Sequence, residues 1–345
     1  MNVVIRNTPD GRQYVRTPDE CFSDLPDFPY TPNYVDVDGL RMHYVDEGPE
    51  DGQVVLLLHG QPDWSYLYRK MIPLIVEAGY RVIAPDMIGM GRSDKPIEIN
   101  THTIYAHAAW WKLMIDALGL RDITFFGQDW GGFTGLMVVA QYPEYFRRVM
   151  ISNSGLWLMP DPILNVPQGI NREDYPVNPE ADVRTFDDFI ADCTANGRIK
   201  EDMSDFFHAW MLYALTGPEL KASGNLRRDF GGIELTDVEA QAYDAPFPEE
   251  VFMTGIRTLP SMGSLIDTER SLKDWEALKT FDKPFLTVFG QFDMLVGSEK
   301  TQNALIDNVP GAEGLPHDRI LAGHFIQESQ GPEVARRLID FMANH

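Results

Sequence analysis

The chain has 345 residues, of which 52 are acidic and 29 basic, so its formal net charge is −23. Such an excess of negative charge repels phosphate backbones, and we therefore expect no nucleic acid among its partners. No apolar run reaches the roughly 18 residues that a membrane span needs, so we also expect no membrane segment.

The composition is that of a globular protein, with 44% apolar and 23% charged residues. Its length allows about two domains. The first residues, MNVVIRNTPDGRQ, lack the apolar stretch of a signal peptide. The only two cysteines, Cys21 and Cys193, are too few for a disulfide framework, so we expect free thiols. These features predict a cytoplasmic protein.

The predicted elements begin after residues 1–33, a polar and proline-rich stretch that we expect to wrap the surface. Residues 34–46 alternate around Asp38-Gly39, a pattern typical of a β-hairpin. Continuous apolar runs follow, of the kind found in strands that are buried on both faces. These runs are VVLLLHG (54–60), RVIAPDMIG (81–89), ITFFGQD (123–129), VMISNSG (149–155) and FLTVFGQFD (285–293).

Helical patterns separate the strands, so the sequence predicts a mostly parallel sheet with helices on both faces, an α/β fold. These patterns cover residues 64–78, 103–118, 131–142 and 332–343.

Residues 160–260 break the alternation and predict a helical cap. This part is rich in proline and contains the helical stretches FDDFIADC and EDMSDFFHAWMLYALTG. The cap would interrupt a main domain formed by residues 1–159 and 261–345. Ligands of open α/β sheets bind beyond the carboxyl ends of the strands, so a cap there would cover the site and exclude water.

The segment FFGQDWGGFTG (125–135) predicts a sharp turn from a strand into a helix. Its pattern of flanking glycines normally surrounds a nucleophilic serine, but here Asp129 occupies that position. Gly127, Gly131 and Gly132 permit a tight turn and close packing, which an aspartate that merely capped a helix would not need. We therefore predict that Asp129 is a nucleophile.

Two later residues complete a catalytic set. Asp293 ends a predicted strand, and His324 lies in LAGHFIQE near the C-terminus. The order nucleophile, acid, histidine is the chain order of the α/β-hydrolase fold. The strand after the nucleophile helix ends in ISNSG, with Asn153 and no carboxylate, so Asp293 is the candidate acid.

Six segments together resemble the haloalkane dehalogenases of the α/β-hydrolase fold. The resemblance extends over most of the chain from about residue 34, and it is strongest for the subfamily with its triad acid after the later strand and a halide-binding tryptophan in the cap. The segments are HGQPDWSYLYRK (59–70), PDMIGMGRSDKP (85–96), GQDWGG (127–132), YDAPFP (243–248), GQFDMLVG (290–297) and AGHFIQE (322–328).

The chemistry of the nucleophile agrees with this resemblance. Serine and a haloalkane would form an ether, which water does not readily cleave, whereas Asp129 would form an ester that activated water can hydrolyse. His324 would activate the water, and Asp293 would fix the histidine tautomer. The resemblance thus implies hydrolysis of small haloalkanes to primary alcohols and halide. It implies no metal and no cofactor.

The resemblance also implies the binding residues. Indole N–H groups only donate hydrogen bonds, and those of Trp130 and Trp210 would hold the halide. Backbone N–H groups of Gln61 and Trp130 would form the oxyanion hole, and Phe207 would line the pocket. Family members more often carry glutamate or asparagine at the Gln61 position, so the role of its side chain stays open.

Other interpretations of the aromatic residues remain open. Trp210 and Phe207 could simply pack the cap onto the main domain. Trp110, Trp111 and Trp157 could compete for the halide role, although we expect the tandem pair to be structural.

Three other functions also remain open. Epoxide hydrolases share the triad and use cap tyrosines as proton donors, for which Tyr175, Tyr213 and Tyr243 are candidates. Haloacid dehalogenases of this fold usually carry arginine where this chain has Trp130. A receptor without turnover would not need an intact triad. We further expect a monomer.

Overall fold

The computed structural model describes residues 3–157, 167–177, 185–195, 206–227, 233–293 and 295–345. In this part of the chain the strands form one large and one small sheet. The strands are β1 (Arg6–Asn7), β2 (Gln13–Val15), β3 (Asn33–Val37), β4 (Leu40–Glu47), β5 (Val54–Leu58), β6 (Arg81–Pro85), β7 (Lys95–Pro96), β8 (Ile123–Gln128), β9 (Phe146–Ser152), β10 (Phe285–Gly290) and β11 (Asp318–Ile320).

The large sheet is mostly parallel, as predicted. Its eight strands have the order β11-β10-β9-β8-β5-β6-β4-β3, and only the pairs that involve β4 are antiparallel. Every residue of the central strand β8 is buried, which explains its continuous apolar sequence. The predicted hairpin joins β3 to β4, and Asp38 and Gly39 both have positive φ angles, of 58° and 76°, as a two-residue turn requires.

The N-terminal stretch crosses the surface as expected, but it also contains strands. In the small sheet β1 pairs with β2 and β2 pairs with β7, and each of these strands is too short for an alternating pattern to reveal it. The Thr17 hydroxyl donates to the carbonyl of Pro246 at 2.8 Å. This hydrogen bond connects the N-terminal stretch to Pro246, within the predicted cap.

Helices cover both faces of the large sheet and form the described part of the cap. They are α1 (Ile72–Glu77), α2 (Ile104–Ala117), α3 (Asp129–Gln141), α4 (Phe186–Ala195), α5 (Phe206–Thr216), α6 (Ala222–Leu226), α7 (Asp237–Asp244), α8 (Thr254–Thr258), α9 (Thr268–Leu278), α10 (Glu299–Asn308) and α11 (Ile326–Asn344).

Two predicted helices have different bounds. The pattern at 64–78 divides into a 3₁₀ turn at Ser65–Tyr68 and the short helix α1, whose first turn contains Pro73. Proline has no N–H to donate, so a helix tolerates it best in the first turn. Helix α11 starts before the predicted residue 332 and is kinked at Gln330, next to a proline.

The cap is described only in parts. Helices α4 to α8 fall within the predicted cap, and the residues described there contain no strand. The stretches 158–166, 178–184, 196–205 and 228–232 lie outside the described residues, so the boundaries at 160 and 260 stay a prediction. No helix in the described ranges is long and apolar enough to cross a membrane. Cys21 is a half-buried free thiol, and the Cys193 side chain is outside the described part.

Candidate active site

The turn from β8 into α3 holds Asp129 in a strained backbone conformation. Its φ is +49°, in the left-handed region that residues with a Cβ seldom adopt. The turn is crowded, because a Cβ on Gly131 would lie 2.3 Å from two backbone carbonyl oxygens at the end of β5, and one on Gly60 would lie 2.2 Å from Asp129 Oδ1. Helix α3 begins at Asp129, and the dipole at the N-terminus of a helix favours a negative charge there.

The three predicted catalytic side chains meet beyond the carboxyl ends of the strands. His324 Nε2 lies 3.5 Å from Asp129 Oδ2, and His324 Nδ1 lies 3.0 Å from Asp293 Oδ2. All three residues are buried, with 4–8% of their surface exposed. The structure thus brings together the side chains that the sequence selects, and their catalytic roles are taken up below as a proposal.

The position of His324 between two carboxylates sets its charge. Burial favours the neutral ring, but Asp293 and Asp129 outweigh burial and raise the pKa of His324 well above its usual range. Asp293 is held in turn by the backbone N–H of Leu295, which donates to Asp293 Oδ1 at 2.7 Å. This geometry directs Nδ1 of the ring to Asp293 and Nε2 to Asp129.

Asn153, at the end of β9, connects the catalytic segments. Its amide nitrogen donates to the carbonyl oxygens of Gly323 and His324 at 2.9 and 2.8 Å. Its amide oxygen accepts from the N–H of Gly290 at 2.7 Å, and its carbonyl accepts from the N–H of Asp129 at 3.1 Å. The sequence shows that this position lacks an acid, but it does not reveal that the amide fastens both neighbouring segments.

Gln61 contacts Asp129 through its backbone, and its role in an oxyanion hole stays a prediction. Its N–H donates to Asp129 Oδ1 at 2.8 Å. Its side chain points elsewhere and donates to the carbonyl of Ile256 at 3.0 Å. The open question about this side chain thus has a structural answer, because the amide group joins the loop after β5 to α8.

Gln128 is a site residue that the sequence did not single out. Its amide nitrogen lies 3.0 Å from His324 Nε2 and donates to the His324 carbonyl at 3.2 Å. The carbonyl contact places the nitrogen of the amide, rather than its oxygen, beside the ring. Its location directly before the nucleophile was the only available signal.

Trp130 belongs to an aromatic cluster beside the nucleophile. Its ring stacks on Trp157 with centroids 5.5 Å apart and planes 13° apart, and Phe133 packs edge-on against Trp157 at 5.1 Å. Trp157 is therefore a structural neighbour of the predicted halide donor. Of the other tryptophans considered, Trp111 donates its indole N–H to the Thr134 hydroxyl at 2.9 Å, which fits the structural role expected for it.

The two predicted cap residues lie on α5. Trp210 is buried, and its ring packs against Phe186 and Tyr213 with centroids 5.2 and 6.2 Å apart. Phe207 is half-buried against the hydrophobic core. These contacts lie within the cap, so the halide role of Trp210 and the pocket role of Phe207 stay predictions.

Comparison with known proteins agrees with the fold. A family model described as alpha/beta hydrolase fold matches residues 53–329. A haloalkane dehalogenase of Mycobacterium marinum is 38% identical over 95% of this chain and 99% of its own length. One of Psychrobacter cryohalolentis is 36% identical over 95% of this chain and 97% of its own length.

The solved structure of the tetrameric haloalkane dehalogenase DpaA from Paraglaciecola agarilytica NO2 superposes with a TM-score of 0.73, at 32% identity over 94% of this chain and 97% of that one. On these grounds the chain belongs to the haloalkane dehalogenases of the α/β-hydrolase fold.

Proposed function

We propose that the protein hydrolyses haloalkanes to primary alcohols and halide through a covalent ester on Asp129. The observation that carries this proposal is the unequal setting of the two carboxylate oxygens. Oδ1 accepts the N–H of Gln61 at 2.8 Å, whereas Oδ2 faces His324 at 3.5 Å. One oxygen is engaged by the backbone, and the other is the candidate attacking atom.

In the first step Asp129 Oδ2 forms a bond to the carbon that bears the halogen, and the carbon–halogen bond breaks. The bonding pair leaves with the halide, which the indole N–H groups of Trp130 and Trp210 stabilise. A carboxylate carries no proton that must be removed before it attacks, so this step needs no base.

In the second step His324 takes a proton from water, and the hydroxide bonds to the ester carbon of Asp129. The electron pair moves to Oδ1, where the N–H of Gln61 stabilises the oxyanion. Collapse breaks the bond from this carbon to Oδ2, so the alcohol leaves with Oδ2 and a proton from His324. The remaining acid passes its proton to the histidine, and the carboxylate is restored.

The main competing function is epoxide hydrolysis, and one of its candidate proton donors is already engaged in another contact. The hydroxyl of Tyr243 donates to Glu328 Oε2 at 2.6 Å and is engaged in a buried ion cluster. Trp130 at the residue after the nucleophile also departs from the arginine of haloacid dehalogenases. Halide release from 1-bromobutane, beside an epoxide control, separates these activities directly.

The decisive experiment uses the variant His324→Phe. Removing the base should stop the cycle after the first step, since general-base catalysis contributes about 10²–10⁴-fold. We expect about one halide per active site from a bromoalkane, followed by a stall. Mass spectrometry should find the alkyl group on the peptide that contains Asp129.

The matched control is the double variant His324→Phe/Asp129→Asn, which should release no halide and gain no mass. Sustained turnover of His324→Phe, or an adduct on another residue, would contradict the ester mechanism.

We also propose a cytoplasmic monomer. The large negative charge of −23 supports separate, mutually repelling copies. One structural relative is tetrameric. Light scattering during gel filtration at several protein concentrations therefore tests whether this chain is a monomer. A mass four times that of the chain would refute the monomer, and recovery in a periplasmic or secreted fraction would refute the location.

A further inference from the structure

Three segments that resemble the family meet at a buried ion cluster that the reaction does not use. Arg69 donates to both carboxylate oxygens of Glu328, at 2.6 and 2.7 Å. Tyr243 donates to the same carboxylate at 2.6 Å, as does Lys70 at 2.6 Å. Glu239 completes the cluster by accepting from Arg69 at 2.7 Å. Two cations thus face two carboxylates.

The cluster is fully enclosed at its centre. The side chains of Arg69 and Glu328 are 0% and 1% exposed, and Tyr243 is 0% exposed. Burial would raise the pKa of Glu328, but Arg69 and its other donors lower it, so the carboxylate is held ionised. Removing one donor from a buried charged acceptor is costly, since such hydrogen bonds contribute more than neutral ones.

The partners come from three functional parts of the molecule. Glu328 lies in the first turn of α11, directly after the His324 loop. Arg69 follows the 3₁₀ turn that continues from the Gln61 loop. Tyr243 lies on α7, within the predicted cap. The buried ion cluster therefore connects the His324 loop, the Gln61 loop and the cap.

We propose that Arg69, Tyr243 and Glu328 form an anchor that positions His324 and the Gln61 loop for hydrolysis of the ester. These three are positioning residues, because they act through His324 and Gln61 rather than on the substrate. The inference rests on the proposed function, since it assigns the anchor to the second step of that reaction.

The proposal makes a step-selective prediction. Alkylation needs Asp129 and the halide donors, whereas ester hydrolysis needs the base and the oxyanion hole. A displacement of a catalytic group by about 1 Å can cost up to ~100-fold in rate. Loosening the anchor should therefore slow hydrolysis more than alkylation.

The test compares Tyr243→Phe with Tyr66→Phe. Both tyrosines are fully buried, and their rings pack against each other with centroids 5.0 Å apart. The Tyr66 hydroxyl, however, has no hydrogen-bond partner within the described part of the chain. Each variant loses one buried phenolic oxygen, and only Tyr243→Phe loses hydrogen bonds to Glu328 and Arg69.

Rapid-quench measurements with a bromoalkane give the halide burst and the steady-state rate separately. For Tyr243→Phe we expect a halide burst close to the wild-type rate and a steady-state rate roughly ten-fold lower, since the variant loses the hydrogen bonds of its hydroxyl to Glu328 and from Arg69. The alkylated form should accumulate in the mass spectrum. Tyr66→Phe should match the wild type in both phases, and circular dichroism should show all three proteins folded.

The outcomes distinguish the two proposals. If Tyr243→Phe and the wild type have the same ratio of burst rate to steady-state rate, the anchor is refuted. Equal slowing of Tyr243→Phe and Tyr66→Phe would also refute it. A second variant, Glu328→Gln, removes the charge, and a loss of burst rate equal to its loss of steady-state rate would also overturn it. A wild-type protein that releases no halide would instead refute the proposed function, and the anchor with it.

Discussion

At the scale of single residues, the indole N–H of Trp210 tests the halide site. Trp210→Phe keeps most of the packing against Phe186 and removes one donor. Because hydrogen bonds to charged groups contribute about 1.5–3 kcal/mol, we expect bromoalkane turnover to fall at least ten-fold with little change in thermal stability. Steady-state halide release and a thermal melt measure the two effects.

Trp275→Phe is the control for this prediction. Its buried indole N–H has no partner among the described residues, so the variant should keep full turnover. If Trp210→Phe also keeps full turnover, Trp210 is a packing residue and another donor holds the halide.

The proposed role of Asp293 is to set the tautomer of His324 for the second step. Asp293→Asn should leave the fold intact but favour the wrong tautomer of His324, whose Nδ1 lies 3.0 Å from Asp293 Oδ2. We expect alkylation to survive and ester hydrolysis to slow by roughly 10²–10⁴-fold. Burst kinetics measure both steps, and wild-type hydrolysis would mean that another carboxylate is the acid.

Residue types were readable from the sequence, but side-chain directions were not. Asp129, Asp293 and His324 could be selected because their chemistry and chain order are distinctive. Gln61 and Gln128 have the same side chain, and only the fold turns one toward Ile256 and the other toward the catalytic histidine. Such directions depend on contacts between residues far apart in the chain.

At the scale of elements, the close approach of α3 to β5 depends on Gly131. A methyl group there would lie 2.3 Å from backbone carbonyl oxygens, which cannot rotate away as a side chain could. Gly131→Ala should reduce the free energy of unfolding by about 1–3 kcal/mol, the usual cost of overpacking, and lower activity by moving Asp129. Urea denaturation measures the loss, and a stability equal to wild type would contradict it.

The long elements were predictable, and the short ones were not. Strands such as β8 are buried on both faces and therefore show continuous apolar runs. β1, β2 and β7 have only two or three residues each, which is below the length of any periodic signal. The 3₁₀ turn before α1 was missed because its apolar spacing also fits an α-helix.

At the scale of the whole molecule, two buried histidines limit stability in acid. His102 Nδ1 lies 3.2 Å from His107 Nε2, and both rings are buried. Burial and the charge of Arg172 lower the pKa of His102 to about 3, and burial lowers that of His107 well below its usual range. The unfolded chain protonates both near pH 6.5, so below that pH it binds more protons than the native state and stability falls.

We expect the free energy of unfolding to fall by about 1.4 kcal/mol per pH unit for each histidine as the pH drops below about 6. His324 adds no slope there, because its raised pKa leaves it protonated in both states. Urea denaturation at about pH 7, 6 and 5 measures the slope, and His107→Gln should make it shallower. The same slope in variant and wild type would assign the acid sensitivity to other groups.

The two carboxylates beside His324 also bear on the step at which the proposed reaction releases a proton to solvent. In the free enzyme two carboxylates favour the protonated ring, and a protonated histidine cannot take a proton from water. Esterification neutralises Asp129 and leaves Asp293 as the sole carboxylate bonded to the ring, while the Gln128 amide beside Nε2 favours the neutral form. In the proposed reaction the substrate would thereby create the base that its own ester requires. We therefore expect the acid produced in each cycle to reach solvent together with the halide, before any alcohol has formed.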